Sequence, residues 1–269
     1  RDRLITICVA KMLKKLFFCN NEIMDSKNYT INIAHLYPKL LNIYGDWGNV
    51  LTVKNRCEWR GIDVNIDSIG IGDTIDIKKY DFYFMGGGQD QQQIAVSKEL
   101  QKHKASLQDA ADENAVFLAI CGGYQLLGHY YQPHNAEKLL GISLLDAYTE
   151  AGDKRFIGNV TAKSDFITPD TLVGFENHSG LTYLKNETRP IAIVDTGHGN
   201  NGKDKTEGAR YKNVFGTYLH GSFLPKNPHF ADYLISLALH KRYKEEIELT
   251  KLDDEFENLA HSALVNKKY

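Results

Sequence analysis

At 269 residues the chain can form one large domain or one domain with appendages, and a hydrophobic content of 42% with frequent Tyr, Phe and Ile can build a sizeable core. A net charge of −2 gives no electrostatic basis for nucleic acid or an anionic membrane as a partner. The four cysteines, Cys8, Cys19, Cys57 and Cys121, form no CxxC pair and no zinc-type spacing, so neither a metal site nor a disulfide framework is indicated, which suits a reducing cytosol.

Residues 1–28 look foreign to the rest of the chain. Their apolar stretches, 4–9 and 13–18, are broken by Lys11, Lys14 and Lys15, and they lack the longer apolar core and small-residue cleavage site of a signal peptide. They are also too short for a membrane span. A non-native or disordered extension is expected, with Met24 as a plausible natural start; a basic amphipathic anchor is the competing reading.

From residue 29 the pattern is that of a folded domain. Residues 31–37 read as a first strand. Tyr44-Gly45-Asp46-Trp47-Gly48-Asn49 reads as a loop into a helix on which Val50, Val53 and Cys57 share a face and which Gly61 ends. Cys57 is therefore expected in the core. Residues 62–66 alternate with period two, as a strand does. The strand at 81–85 runs into Gly86-Gly87-Gly88-Gln89-Asp90. Two helical stretches, 92–103 and 105–114, precede a strand at 115–120. Strands alternating with helices predict an α/β fold, a parallel or mixed sheet with helices on both faces.

After residue 145 four short strands are expected, at 156–162, 171–173, 181–183 and 191–194, with Glu176-Asn177-His178-Ser179-Gly180 among them. The polar, glycine-containing segment 200–208 reads as a mobile surface loop. A strand at 213–219 ends at His220-Gly221, and a helix over 227–242 closes a domain spanning 29–243. The charged tail 244–269 carries Leu252, Phe256, Leu259 and Ala263 at near-helical spacing, expected as a helix docked on its own domain, with a partner-binding helix as the alternative.

The chemistry centres on Ala119-Ile120-Cys121-Gly122-Gly123-Tyr124-Gln125. A cysteine between a buried strand and a helix, with glycine neighbours, is the elbow arrangement: a strained turn holds the sulfur at the carboxyl edge of the sheet, where the next helix offers unpaired N–H groups. A buried structural cysteine is the alternative. Gly86-Gly87-Gly88, at another strand end, is either a glycine turn or a set of N–H groups placed to form an oxyanion hole. No Gly-Lys-Ser/Thr comes after it, so it is not a P-loop, and its spacing does not fit a dinucleotide fingerprint.

These residues resemble a family. The Cys121 segment is similar to the Gly-x-Cys-x-Gly-x-Gln signature of class I glutamine amidotransferases, with Ala119 in place of the first glycine. Gly86-Gly87-Gly88 resembles that family's oxyanion strand, and Tyr218-Leu219-His220-Gly221 the catalytic-histidine segment of its cobyric-acid-synthase branch. Segments 44–49, 149–158, 173–180 and 207–221 extend the similarity to the glutaminase subunits of lipid II isoglutaminyl synthases, over about residues 29–243. The resemblance implies a flavodoxin-like class I glutamine amidotransferase fold. It also implies that Cys121 is the nucleophile, His220 its acid–base partner, Gly88 and Gly122 the oxyanion-hole donors, Gln125 a substrate-seating residue and Arg155 the partner of the glutamine α-carboxylate. His178 is the second choice of histidine; it and His198 lie in expected turns, whereas His220 ends a strand.

Most class I members carry a glutamate two residues after the histidine; here that position is Ser222, which leaves the imidazole's third partner unassigned. The chain has no nucleotide-binding signature. The resemblance therefore implies no cofactor in this chain, ATP and Mg on a MurT-like, Mur-ligase-like partner subunit, cytoplasmic location, and lipid II reached through that partner. An amidotransferase subunit for another acceptor, in a corrinoid or pyridoxal pathway, and a stand-alone cysteine hydrolase are the competing readings.

Overall fold

The computed structural model describes residues 28–266; the expectation for the N-terminal extension lies outside the described residues. The central layer is a six-stranded sheet in the order β11-β12-β4-β3-β1-β2. It comprises β1 (Thr30–Leu36), β2 (Asp63–Ile69), β3 (Phe82–Met85), β4 (Val116–Ile120), β11 (Ala209–Tyr211) and β12 (Val214–Thr217). Pairing is parallel throughout except for β11 with β12. The middle strands are buried on both sides, and alternate residues feed two cores. Phe82, Phe84, Val116, Leu118 and Ile120 face one core with helices α1 (Trp47–Glu58) and α4 (Pro228–Tyr243). Tyr83, Met85, Phe117 and Ala119 face the other with α2 (Asp90–Asp112) and α3 (Gly122–Leu127). The expected α/β arrangement, with helices on both faces, is the one observed.

Cys57 is fully buried on α1, and burial pushes its thiol up to about 12. It is a core residue, as its helical spacing indicated.

Several expectations are corrected. The two helical stretches before β4 are one helix, α2. No Gly or Pro interrupts residues 90–112, so the i→i−4 ladder runs through. Three of the four short later strands are parts of β7 (Ala147–Lys163) and β8 (Thr171–Leu184), long antiparallel partners whose register shifts between Ala151 and Phe156; the strand expected at 191–194 stands by itself. The polar run Glu176-Asn177-His178-Ser179-Gly180 reads as a turn in sequence but is strand, because Glu176 and His178 turn into the protein interior. With β5 (Tyr130–Gln132), β6 (Leu139–Leu140), β9 (Ala192–Thr196) and β10 (Thr206–Glu207), these strands form a second sheet.

The segment 200–208 is a surface loop only in its middle: residues 202–205 are exposed, while both ends turn into the protein. Asn200, Asn201 and Glu207 are buried. Asn200 Nδ2 donates to Thr206 Oγ1 and Gly208 O, and Asn201 Nδ2 donates to Thr182 O. The two asparagines serve backbone carbonyls inside the fold.

In the tail, α5 (Glu255–Val265) comes after an anchored connection. Arg56 pairs with Asp232 and Asp254, and Arg60 donates to Thr250 O. His261 Nδ1 lies 2.8 Å from Lys226 O, yet Phe256 and Leu259 are 48% and 60% exposed. Among the described residues no helix is long and apolar enough to cross a membrane.

Candidate active site

The carboxyl ends of β3, β4 and β12 meet at one edge of the central sheet, where a cavity of about 720 Å³ opens. Its walls include Gly88, Cys121, Gln125, Arg155, His178 and His220, so the cavity brings together every side chain assigned from sequence.

Cys121 has φ 48° and ψ −105°, a conformation that costs a non-glycine residue on the order of 1–3 kcal/mol and recurs at reactive elbows. Two neighbours over-determine it. Cys121 N–H donates to Thr217 O at 2.8 Å, and Cys121 O accepts Gln125 N–H at 2.9 Å. The first bond also places β12 beside the nucleophile, so that the chain just past Thr217 delivers His220 to the same edge. His220 is 1% exposed and is held in place through paired backbone bonds with Phe175 of β8.

Gly122 is tightly packed. A Cβ there would lie 3.0 Å from Gly88 N and from the Gln93 amide. The same closeness brings the Gly88 nitrogen against Gly122, and neither N–H is engaged by a backbone acceptor among the described residues. Gly87 lies at the junction of three groups: a Cβ on it would be 3.3 Å from Asp46 Oδ2, 3.3 Å from His220 Cε1 and 3.4 Å from Cys121 Cβ.

Asp46 is the residue that the sequence reading missed. It comes directly after a 3-10 turn at Ile43–Gly45, just before α1, and is 0% exposed. Its Oδ2 accepts the Gly87 N–H at 2.6 Å, and its Oδ1 lies 3.8 Å from His220 Nδ1. Burial alone would lower the His220 pKa, but the charges of Cys121 and Asp46 outweigh it and raise the imidazole to about 10. The serine in place of the usual acid does other work: Ser222 Oγ donates to Gly45 O at 2.8 Å, bracing the turn that carries Asp46. Only a motif at residues 44–49 marked Asp46 in sequence. Its place beside His220, far along the chain, is set by the strand order.

Gln125 is buried in a polar relay: Gln93 Nε2 donates to Gln125 Oε1 at 2.8 Å, and Gln125 Nε2 donates to Tyr218 Oη at 3.2 Å. Arg155 stands exposed at the mouth, its Nε donating to Asn177 Oδ1 at 2.7 Å, with the rest of the guanidinium available to an anion. A half-buried thiol beside a buried imidazole and carboxylate, with the Gly88 and Gly122 N–H groups close by, can deliver sulfur to a carbonyl carbon and receive the resulting oxyanion.

This sheet, elbow and cavity fit a cysteine-dependent amidotransferase. Residues 32–228 match the CobB/CobQ-like glutamine amidotransferase domain, and the chain belongs to that family. It is 40% identical over 227 residues to the lipid II isoglutaminyl synthase (glutamine-hydrolyzing) subunit GatD of Streptococcus pneumoniae, covering 84% of this chain and 87% of that one. To the subunit of the same name from Staphylococcus aureus it is 39% identical, covering 89% and 96%. The fold is also that of a glutamine amidotransferase from Thermotoga maritima, with a TM-score of 0.53 at 16% identity over 87% of this chain and 93% of that one.

Proposed function

We propose that the chain is the glutaminase subunit of a lipid II isoglutaminyl synthase. The observation that carries the chemistry is the meeting of Cys121 and His220 at adjacent strand ends, with Gly88 and Gly122 packed close by. The acceptor is argued from the two relatives of that name, which align over most of their length.

In this reading His220 takes the Cys121 proton, and the sulfur attacks the side-chain carboxamide carbon of glutamine. The Gly88 and Gly122 N–H groups receive the oxyanion. His220 returns its proton to the nitrogen as the C–N bond breaks, ammonia leaves, and water cleaves the thioester to glutamate. Asp46 orients the imidazole and stabilises its charge. Arg155 pairs with the α-carboxylate, and Gln125, fixed by Gln93 and Tyr218, shapes the seat.

Free ammonia is mostly protonated at neutral pH, so it must pass directly to a partner. That partner is a MurT-like, ATP-dependent ligase subunit, which activates the D-glutamate carboxylate of lipid II with ATP and Mg; this chain itself needs no cofactor. Location is cytoplasmic, where ATP is available.

The test is co-purification with the ligase subunit, followed by lipid II amidation with either glutamine or ammonium chloride as nitrogen source. Cys121→Ala is expected to abolish amidation from glutamine and retain it from ammonium. Persistent glutamine-dependent amidation in Cys121→Ala would overturn the assignment.

A further inference from the structure

The cavity holds an imidazole that the chemistry above leaves unused. His178 lies on β8, lines the same cavity as Cys121 and His220, and is 2% exposed. Its Nδ1–H donates to Gly180 O at 2.8 Å, so its one proton is committed and Nε2 is left as an acceptor. The ring cannot easily turn over. One face stacks on Tyr218 with centroids 3.6 Å apart and planes 5° from parallel, and Phe156 meets it edge-on at 5.6 Å. Nε2 has no hydrogen-bond partner among the described residues. A buried acceptor in that condition calls for a donor that the protein itself does not supply.

We propose that His178 Nε2 accepts an N–H of the glutamine carboxamide and then of the ammonia formed from it. The inference rests on the glutaminase reading above. When the tetrahedral oxyanion collapses, the C–N bond breaks, its electron pair goes to nitrogen, and that nitrogen takes the His220 proton to leave as NH₃. His178 accepts a hydrogen bond from this NH₃ but has no free proton to give it, so the nitrogen stays nucleophilic. Burial, with the nearby charges of His220 and Arg155, holds the His178 pKa down at about 3 against the opposing bond to Gly180, so the ring is neutral at any working pH. The two histidines then divide the labour: His220 carries the proton, and His178 holds the nitrogen.

The experiment compares L-glutamine with the γ-methyl ester of L-glutamate, whose leaving group brings no N–H. In His178→Phe, which keeps a ring against Tyr218 but removes Nε2, kcat/KM for glutamine is expected to fall about tenfold while that for the ester stays within about twofold. His178→Gln, which restores an acceptor oxygen, should recover part of the loss, and the pH profile should keep its shape. If a thermal melt shows His178→Phe unfolded, His178→Met serves the same comparison. Equal losses on both substrates, or no loss on glutamine, would overturn the proposal. A wild-type protein that hydrolyses neither substrate would overturn the glutaminase reading beneath it.

Discussion

Asp46 divides its two oxygens between the backbone of the oxyanion strand and the imidazole, so one side chain fixes both the Gly87 peptide and His220. Asp46→Asn should therefore lower glutamine hydrolysis about 10–100-fold, through a misoriented ring and a lost charge. Because the Asp46 carboxylate helps to raise the His220 pKa, the alkaline limb of kcat/KM should also move to lower pH. Ser222→Glu makes the opposite change and should bring no gain. Ser222 has φ 46° and points toward Gly45 and Gly48, so a longer acid there would disturb the turn that holds Asp46. Steady-state glutamate release across pH checks both variants; a Ser222→Glu enzyme faster than wild type would refute the role given to Asp46.

Where β7 shifts register, Arg155 is lifted to the cavity mouth beside Asn177 of β8. Arg155→Ala should raise the glutamine KM about tenfold with little change in kcat, the result expected when a partly hydrated charge-assisted pair is lost. Behind the site, Glu207 of β10 is fully buried, its Oε1 accepting Thr217 Oγ1–H at 2.6 Å and Tyr218 N–H at 3.0 Å. Burial raises its pKa from 4.5 to about 7, against the pull of those two bonds. A carboxyl raised in the folded state gives stability that is complete below pH 4.5 and lost as pH rises through 7. The stability of wild type relative to Glu207→Gln should thus fall by on the order of 3 kcal/mol between about pH 4.5 and 8, read from urea unfolding at each pH.

Elements of this kind mark the limit of what a sequence reading reaches. The Cys121 elbow and the strand before His220 are local patterns, and they stood out with the right neighbours. Glu176, His178, Asn200 and Glu207 are polar residues turned inward, and local rules read them as turn or loop. The exchange of β-order that sets Asp46 beside His220 leaves no local trace at all.

At the scale of the whole molecule, the C-terminal connection is fastened by Arg56, itself 2% exposed, between Asp232 and Asp254. Arg56→Met should destabilise the fold by about 3 kcal/mol, because two carboxylates lose a shared cation. Amide exchange in residues 244–265 should rise first; equal protection in both proteins would mean that the tail is held by other contacts. The bond from Cys121 N–H to Thr217 O has a different consequence, one that concerns time. The nucleophile leaves the ribosome roughly 100 residues before its base, a delay of about 5–20 s at ordinary rates of synthesis. Until β12 slides in beside β4, Cys121 has neither the bond that holds its backbone nor the imidazole that would activate it. A half-made chain therefore carries an unarmed thiol, and glutamine is safe from it until the last strand of the central sheet is in place.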